Sequence, residues 1–401
     1  IIHNMNKRLL IILSLVVLAL AIAGAILIWS NVRNRQTTAP VPTPAGQPLS
    51  GFPTPPSTTN PPPAPIAAPL TAPSVTPITP QPIISGSLIK LSPTPVAGAT
   101  LLPRAGSTTP ATVIYLEENT GHLFRIAPDG QDHQQLATSA RPGVARAWWG
   151  IYRDTLTLIA QYLNLKEELE TWRGTYKLGT AEPTELIGGL IPNLAAHGVA
   201  ISPNRNRFFS LANTVEGVSG IITDLATGKT KTIFTSSLKY WQVSWPTPAI
   251  IALAPRAAAA LPGVLYFLNP DTGALTRVLG ETLGLTTLVN PTGTMVLYGQ
   301  GLSTLKLYSI RDRATKSFII ATLPEKCVWA SDSITIYCAA PNLPAAAQYP
   351  DDWWSGETTF IDNLWRVNTD TGEARIIWSN RPGNSFDAIN LILDEADKRL
   401  I

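Results

Sequence analysis

The chain has 401 residues, of which 14% are charged and 45% are hydrophobic, and its formal net charge is +3. Four basic residues and no acidic residue precede position 36, which leaves 26 basic and 27 acidic residues in the remainder. A remainder this close to neutral lacks the basic patch that nucleic-acid binding requires, so a nucleic-acid partner is excluded. The length suits one large all-β domain with appended segments.

Residues 9–29, LLIILSLVVLALAIAGAILIW, form an apolar run of 21 residues without a charge. A helix of that length rises about 30 Å, which is the thickness of the hydrocarbon core of a bilayer. A cleaved signal peptide is the alternative, but this run exceeds the roughly 7–15 residues of a signal h-region. We therefore expect an uncleaved, single-pass signal-anchor helix that binds the membrane.

The orientation of this span does not follow from its flanking charges, because Lys7 and Arg8 precede it and Arg33 and Arg35 follow it. The next segment and the cysteine pair are both typical of an exported domain. We therefore predict that residues 1–8 are a cytoplasmic tail and that the rest of the chain lies outside a bacterial cell membrane.

Residues 30–112 are predicted to be a disordered, Pro/Thr-rich stalk. No charged residue occurs between positions 36 and 89, and proline recurs every few positions, as in PTPPSTTNPPPAPIAAP at 53–69. Proline fixes φ and removes a backbone donor, so this composition cannot build a helix or a sheet. An extended, polyproline-like spacer of about 3 Å per residue would hold a domain away from the bilayer.

Residues 113–401 repeat one unit, an apolar strand followed by a polar turn and a second strand. Examples are GIITDLATGKTKTIF at 220–234, VLYFLNPDTGALTRVL at 264–279 and NLWRVNTDTGEARII at 363–377. A second hairpin precedes most copies, as in VAISPNRNRFFSLA at 199–212. Two hairpins at intervals of roughly 42–57 residues predict four-stranded propeller blades. The only stretch with a helical period, LKEELETW at 165–172, is short.

Six copies predict a six-bladed β-propeller, with seven blades as the alternative. The final segment, FDAINLILDEADKRLI at 386–401, has the pattern of an innermost strand and the start of the next strand. The first copy, at 113–136, lacks an innermost strand. We therefore expect the two ends of the domain to pair and complete the last blade.

The stretches ISPNRNRFF…GIITDLATG and VNPTGTMVLYG…LKLYSIRDR resemble the WD-like repeats of TolB-type bacterial propellers. Those repeats have a Ser-Pro-Asp-Gly turn, a strand and an Asp-x-x-Thr-Gly turn. The resemblance covers residues 113–401 and implies the propeller fold. The first turn differs here, with Ser-Pro-Asn-Arg at 202–205, and an anchor and a stalk replace the α/β domain of TolB. TolB-like partner binding is therefore not implied.

Asp-Thr-Gly occurs twice, at 271–273 and 370–372, and this triplet can form the active-site loop of an aspartic protease. Such a loop needs its aspartate directly after a hydrogen-bonded strand, whereas Pro270 removes a backbone donor at that point. An Asp or Asn followed by Gly is also what a hairpin with a positive-φ position requires. We therefore predict turns without catalytic function.

The candidate binding site is an insertion at 341–362, PNLPAAAQYPDDWWSGETTFID. It carries three aromatic residues, Tyr349, Trp353 and Trp354, beside Asp351 and Asp352. Such a group can stack on a sugar or anchor a protein partner. The alternative is that the loop folds over the blade and buries its tryptophans.

Cys327 and Cys338 bracket a short hairpin with its turn at Asp332-Ser333, and symmetric pairing places them opposite each other. Opposed residues of neighbouring strands have Cα atoms about 4.5–5.5 Å apart, which a disulfide can span. We predict a disulfide, with two buried thiols as the alternative. The four histidines lack metal-ligand spacing, and no cofactor or metal is predicted.

The sequence thus favours a surface module that binds a protein or an envelope polymer such as a cell-wall glycan. The alternative is a propeller-fold glycan hydrolase or lyase that uses Asp351, Asp352 or acids of the central channel. Such enzymes need two carboxylates that converge. The predicted inner strands, such as TTLVNP and CVWASD, are poor in acids, which favours binding.

Overall fold

The computed structural model describes residues 88–102 and 112–401, except 165, 167, 181, 302–304, 343–345, 382, 384, 395 and 396. The predicted tail, the predicted span at 9–29 and most of the predicted stalk lie outside these residues. Within the described part, the helices are all too short or too polar to cross a bilayer.

The described residues form six four-stranded antiparallel sheets, and each sheet is built from strands that are consecutive in the chain. This is the predicted six-bladed β-propeller. The first three sheets consist of β1 Val96–Leu102, β2 Thr112–Glu117, β3 Leu123–Ile126, β4 Gln134–Gln135; β5 Val144–Tyr152, β6 Thr155–Leu163, β7 Leu169–Lys177, β8 Ile187–Ile191; and β9 Leu194–Ile201, β10 Arg207–Thr214, β11 Gly217–Asp224, β12 Thr230–Ser236.

The last three sheets follow the same order. They consist of β13 Trp241–Thr247, β14 Ile250–Pro255, β15 Pro262–Leu268, β16 Leu275–Leu283; β17 Leu285–Val289, β18 Met295–Gln300, β19 Leu305–Ser309, β20 Ala314–Ser317; and β21 Cys327–Trp329, β22 Thr335–Pro341, β23 Asp362–Asn368, β24 Ala374–Trp378. A 3-10 turn, Pro324–Lys326, precedes β21, and the one-turn helix α1, Asp351–Trp354, lies between β22 and β23. The short stretch with a helical period at 165–172 ends in strand β7.

Both faces of the inner strands are covered, which explains why these strands lack a polar face, whereas outer strands such as β12 and β20 are largely exposed. Phe208 and Phe209 are adjacent in β10, so their side chains point to opposite faces of the third sheet. Both are buried: Phe208 packs in a core with Ile159 of the second sheet, and Phe209 packs in a core with Leu253 of the fourth sheet. Consecutive residues in such strands are therefore apolar, as expected for sheets that pack against a neighbour on each face.

The prediction that the two ends of the domain pair with each other is wrong. Strand β1 supplies the first strand of the first sheet and pairs with β2 from Val96 to Leu102. The propeller therefore begins earlier than the predicted boundary at 113, within the segment assigned to the stalk. The stretch from Val96 to Leu102 follows Pro95 and contains no proline itself, so its backbone donors are available for pairing.

The end of the described chain forms a hairpin of its own, in which Leu393 bridges Leu400. Its turn is built on Asp394, whose Oδ1 accepts hydrogen bonds from the backbone N–H groups of Lys398 and Arg399 at 2.6 and 3.0 Å. The backbone of Asp397 adopts a φ of 53° in this turn. We refer to residues 392–401 as the terminal hairpin.

The terminal hairpin lies between the sixth and first sheets. Its Ile392 and Ile401 pack against the core residues of the first sheet, among them Leu101. On the other side, Oδ2 of Asp397 accepts hydrogen bonds from the backbone N–H and the hydroxyl of Ser331, which follows β21. These residues therefore fill the position between the two sheets instead of completing one of them.

Both Asp-Thr-Gly triplets are tight turns, as predicted. In the turn between β15 and β16, Gly273 has a φ of 77° and its N–H bonds to the carbonyl of Asn269. Oδ1 of Asn269 accepts hydrogen bonds from the N–H groups of Asp271 and Thr272, both at 2.9 Å. Asn368 and Gly372 repeat this arrangement between β23 and β24. The residue that caps the turn is thus the asparagine, not the aspartate of the triplet.

Candidate functional site

The predicted binding loop lies between β22 and β23 of the sixth sheet and folds against the propeller. Tyr349 is 4% exposed, and its ring stacks on that of Phe360 with a centroid distance of 5.4 Å. Leu323 and part of Trp353 complete this small core. Tyr349 therefore anchors the loop and does not present its ring to solvent.

The two acids of the loop hold its backbone. Oδ2 of Asp351 accepts a hydrogen bond of 2.7 Å from the backbone N–H of Ala259, in the connection between β14 and β15. Oδ2 of Asp352 accepts one of 2.7 Å from the backbone N–H of Gln348. Asp351 thus ties the loop to the fourth sheet, whereas Asp352 closes the loop on itself. These contacts give both carboxylates a structural role.

Trp353 covers a buried ion cluster. Lys326 is completely buried, and its ammonium lies 2.8 Å from Oδ2 of Asp362 and also pairs with Asp387. The indole N–H of Trp353 donates to Oδ2 of Asp387 at 2.8 Å, and its ring lies 5.2 Å from the Lys326 ammonium. Burial raises the pKa of the Asp362 carboxyl, and the Lys326 ammonium opposes that rise. The cluster fastens the loop to the segment after β24.

Trp354 reaches a carboxyl that the sequence analysis did not single out. Its indole N–H donates to Oε1 of Glu325 at 2.9 Å, and the guanidinium of Arg256 lies 5.1 Å from the centroid of its ring. Burial raises the pKa of Glu325 to about 7, while the Trp354 hydrogen bond and the positive charges of Arg146, Lys326 and Arg256 act in the opposite direction. A half-buried carboxyl that titrates near neutral pH is a feature of functional sites.

Glu325 borders a cavity of about 280 Å³ that is lined mainly by the first strands of the second to sixth sheets. We refer to it as the channel cavity. Arg146 of β5 also lines it; burial lowers the pKa of its guanidinium, and Glu325 opposes that change. The other polar lining residues are Gln242, Ser244, Thr286 and Thr287, and Trp148 adds an aromatic ring. Among the described lining residues, Glu325 is the single carboxylate.

The structure thus places the five predicted site residues in one loop, but their polar groups contact the protein itself. Of the five, Trp354 contacts a residue of the channel cavity, Glu325. A signal for Glu325 exists in the sequence, because Glu325 and Lys326 form a charged pair directly before an inner strand in a chain poor in charge. Arg146 likewise follows the start of an inner strand, at Val144.

The predicted disulfide is confirmed. Cys327 and Cys338 are directly opposed in β21 and β22, and their Cα atoms lie 4.0 Å apart. The predicted register also holds for Trp329 and Ile336. This bond joins the two strands that follow Glu325 and therefore stabilises one wall of the channel cavity.

Among the residues that the structure describes, no group of three or more His, Cys, Asp or Glu side chains is placed to hold a metal ion. His133 stacks on Phe124, and its Nε2 lies 2.6 Å from the hydroxyl of Tyr115. His122 packs edge-on against the same Phe124 ring. Both histidines thus belong to an aromatic cluster on the first sheet.

No family model and no curated protein matches this chain. Solved structures with a similar fold include a puromycin hydrolase, at 14% identity and a TM-score of 0.51, and a puromycin-hydrolyzing peptidase from Mycobacterium tuberculosis, at 12% identity and a TM-score of 0.51. The matches cover 75% and 73% of this chain but 49% and 48% of those proteins, so the chain spans about half of their length.

TolB from Acinetobacter baumannii is also similar, with 12% identity, a TM-score of 0.42, and coverage of 63% of this chain and 58% of TolB. At these identities the likeness concerns the fold alone.

Proposed function

We propose that this protein is a membrane-tethered, extracytoplasmic propeller that binds a polymer of the bacterial envelope at its channel cavity, without catalysis. The observation that carries this proposal is a group of four residues: Glu325 and Arg146 line the cavity, and Trp354, with Arg256 on its ring, contacts Glu325. It places a carboxyl, an indole and two guanidinium groups beside a lining of hydroxyl and amide side chains. Such a site suits a ligand with many hydroxyl groups, such as a glycan, more than an apolar protein segment.

The size of the channel cavity limits what enters it. Its volume of about 280 Å³ is close to the lower end of the range of about 300–1,000 Å³ that is typical of ligand pockets. A single sugar ring or one polar substituent fits, whereas a long chain does not. The cavity would therefore hold one unit of a polymer, and the loop over Trp354 would contact its neighbours.

A propeller-fold glycan hydrolase or lyase is the second candidate, and the Glu325 carboxyl favours it because a group that titrates near pH 7 suits general acid–base catalysis. Glycoside hydrolysis, however, uses two carboxylates that flank the bond. Asp351 and Asp352 instead hold backbone N–H groups of the protein. If the wild type releases reducing ends from wall glycan and Glu325→Gln does not, the second candidate is favoured over binding alone.

The binding proposal is tested by co-sedimentation of the full-length protein with purified cell-wall glycan. We expect Arg146→Gln and Trp354→Phe each to weaken binding by about tenfold, because each removes a charged or hydrogen-bonded group at the cavity. Arg311→Gln, at an exposed position after β19, is the matched control. Equal retention of all four proteins on the glycan would contradict the proposal, and so would failure of the wild type to bind.

The membrane tether is proposed from residues 9–29 and the proline-rich segment that follows. Protease added to intact cells should degrade the propeller region, and the digestion should leave an N-terminal fragment in the membrane fraction. Protection of the propeller in intact cells, with digestion only after lysis, would contradict the proposed location.

A further inference from the structure

A second, larger cavity lies between the first and second sheets, away from the channel cavity. Its volume is about 750 Å³, within the range of about 300–1,000 Å³ for small-molecule sites. We refer to it as the side cavity. Its wall is mainly apolar and includes Leu116, Val144, Leu158, Ala160 and Leu186.

Two charged residues line the side cavity, Arg141 and the exposed Glu185, and the backbone near Arg141 holds its segment in place. Gly121 has a φ of 68°, and a Cβ on it would lie 1.8 Å from the carbonyl oxygen of Arg141. Only glycine lets these two segments approach so closely. The N–H groups of Gly143 and Val144 also bond to the carbonyl of Glu118, at 3.1 and 3.0 Å. The segment that carries Arg141 is thereby fixed across the turn between β2 and β3.

Trp172 forms an aromatic surface of the side cavity. A Cβ on Gly174 would lie 1.8 Å from Cη2 of the indole, and one on Gly188 would lie 2.7 Å from Cζ2, so the ring lies across two strands where side chains are absent. The Arg141 guanidinium is 4.9 Å from the centroid of this ring. Trp172 is 4% exposed, yet its indole N–H has no hydrogen-bond partner in the described structure. Trp149, Trp245 and Trp365 share this feature, but Trp172 lines the side cavity, so its N–H can bond an acceptor that enters there.

The polar neighbours of Arg141 include the Tyr162 hydroxyl and, farther away, the Glu170 carboxylate. The Tyr162 hydroxyl donates to Oε2 of Glu170 at 2.7 Å and accepts a long bond of 3.4 Å from Arg141. Oε1 of Glu170 accepts from Asn164 at 2.9 Å. These bonds lower the pKa of Glu170. No carboxylate of the described residues lies within 4 Å of the Arg141 guanidinium, although the more distant Glu170 interacts with it electrostatically.

The side cavity also has apolar residues at its surface. Ile187 is 74% exposed and Leu163 is 52% exposed, and both line the cavity. Exposed aliphatic side chains beside an apolar cavity are typical of a binding site. The apolar wall, the Arg141 cation and the indole donor together suit a ligand with an apolar body and one compact anionic acceptor.

We propose that the side cavity binds a small apolar molecule that carries a single carboxylate. The carboxylate accepts hydrogen bonds from Arg141 and from the indole N–H of Trp172, and the apolar body lies against Leu116, Leu158 and Ile187. One guanidinium matches one carboxylate in charge and geometry. This site is distinct from the channel cavity and goes beyond the proposed function.

The probe for the test is 4-phenylbutyrate, and its neutral amide, 4-phenylbutyramide, is the matched control ligand. Binding of each to the full-length protein in neutral detergent is measured by isothermal titration calorimetry. We expect the wild type to bind the carboxylate at least about tenfold more tightly than the amide, because a charge-assisted bond is lost with the amide. Equal affinity for the two ligands, or no binding of the carboxylate, would overturn the proposal.

Three variants locate the binding. Arg141→Gln should abolish the preference for the carboxylate. Ile187→Glu should weaken both ligands through the lost apolar contact, but should weaken the carboxylate several-fold more than the amide because it adds charge repulsion. Ile187→Lys, at the same exposed position, should not lower the affinity for the carboxylate relative to the amide. Arg311→Gln is the control for loss of an arginine elsewhere. Because Ile187 is mostly exposed, its variants should fold even if Arg141→Gln does not. Unchanged carboxylate binding in Ile187→Glu would overturn the proposal.

Discussion

The two ends of the propeller are built on different principles. The turns between the first and second strands, and between the third and fourth strands, lie at one end of each sheet, which we call the turn end. The connections between the second and third strands and between sheets lie at the other, which we call the loop end. Arg141, Glu325, Arg256 and Trp354 all belong to the loop end. These charged and aromatic residues, at or beside the two cavities, therefore all come from the loop end. The turns at the other end set the backbone geometry.

The turn end repeats one arrangement in several sheets. In the turn between β9 and β10, the N–H of Arg205 bonds to the carbonyl of Ser202, and Arg205 has a φ of 56°. In the turn between β17 and β18, Gly293 and Asn290 occupy the same positions, with a φ of 72° at Gly293. The terminal hairpin repeats it with Asp397 and Asp394. The same hydrogen bonds thus form with different residues, so the pattern specifies backbone shape and no chemistry.

The largest expected effect is a loss of stability when a buried ion cluster at the loop end is broken. Lys326→Met removes the cation from a completely buried cluster and leaves Asp362 without its partner. Breaking a buried pair in this way costs about 3–5 kcal/mol. Denaturant unfolding of the variant should therefore show a large loss, and the loss should be smaller near pH 4, where Asp362 can be neutralised by a proton. Lys239→Met, at an exposed position, is the control. A loss below about 1 kcal/mol at pH 7 would show that the cluster does not stabilise the loop end.

A smaller loss is expected when the disulfide beside this cluster is removed. The bond between Cys327 and Cys338 closes a loop with a sequence separation of 11. Loss of the constraint on the unfolded chain corresponds to about 2–3 kcal/mol for a loop of this size. The double variant Cys327→Ala/Cys338→Ala should show this loss in denaturant unfolding, with a slope no smaller than that of the wild type because its unfolded chain is less constrained. Free thiols on both residues in mass spectrometry of the unreduced wild type would contradict the assignment.

The third effect depends on pH. The pKa of Glu325 is about 7 in the folded protein against an ordinary value of 4.5, so its contribution to stability is complete below pH 4.5 and is lost as the pH rises through 7. Each pKa unit corresponds to about 1.4 kcal/mol, and partial solvent exposure reduces the expected loss to about 1–2 kcal/mol. Glu325→Gln should lack this loss between pH 4.5 and 7. Glu216→Gln, at an exposed turn, should titrate like the wild type. Parallel pH profiles of stability for the wild type and Glu325→Gln would refute the assignment of this pH dependence to Glu325.

The contrast between the ends also explains which features could be predicted from the sequence. The strands and the Asn-x-x-x-Gly turns depend on residues within a few positions of each other, so their pattern is visible in the chain. The disulfide followed from the same local register. The first strand was missed because Val96–Leu102 is short and follows a long proline-rich segment, which concealed its ability to pair.

The loop end was predicted less well because its contacts join residues far apart in the chain. Glu325 contacts Trp354, which is 29 positions away in the sequence, and interacts electrostatically with Arg146, which is much farther away. Neither interaction produces a local sequence pattern. The composition of the insertion correctly marked an unusual loop. It could not show that Asp351 would bond to the backbone of Ala259, 92 positions earlier. Aromatic and acidic residues suit both a binding surface and a structural cap, and the sequence does not separate the two.

At the turn end, we expect a loss of stability when a glycine with a positive φ is replaced. Gly372 has a φ of 81° between β23 and β24, a conformation that costs a residue with a Cβ about 1 kcal/mol. Gly372→Ala should lower the free energy of unfolding by that amount, and Gly372→Asn should lower it less, because asparagine tolerates this conformation. An equal loss in both variants would indicate that the space at the turn, and not φ, is limiting. The nearest atom to a Cβ there is Cε of Lys316 at 3.4 Å, an ordinary contact.

The smallest effect concerns the Asp271 carboxylate itself. It is 76% exposed and lies 3.5 Å from the Arg207 guanidinium, an exposed pair that contributes at most about 0.5 kcal/mol. The turn is capped by Asn269, so Asp271→Asn should leave both the fold and glycan binding unchanged, whereas Asn269→Ala should cost about 1 kcal/mol through the loss of two hydrogen bonds. Thermal unfolding and a peptide hydrolysis assay on both variants distinguish a structural role of the triplet from a catalytic one. Any hydrolysis by the wild type that vanishes in Asp271→Asn but persists in Asn269→Ala would give the triplet a catalytic role and end the distinction between the two ends.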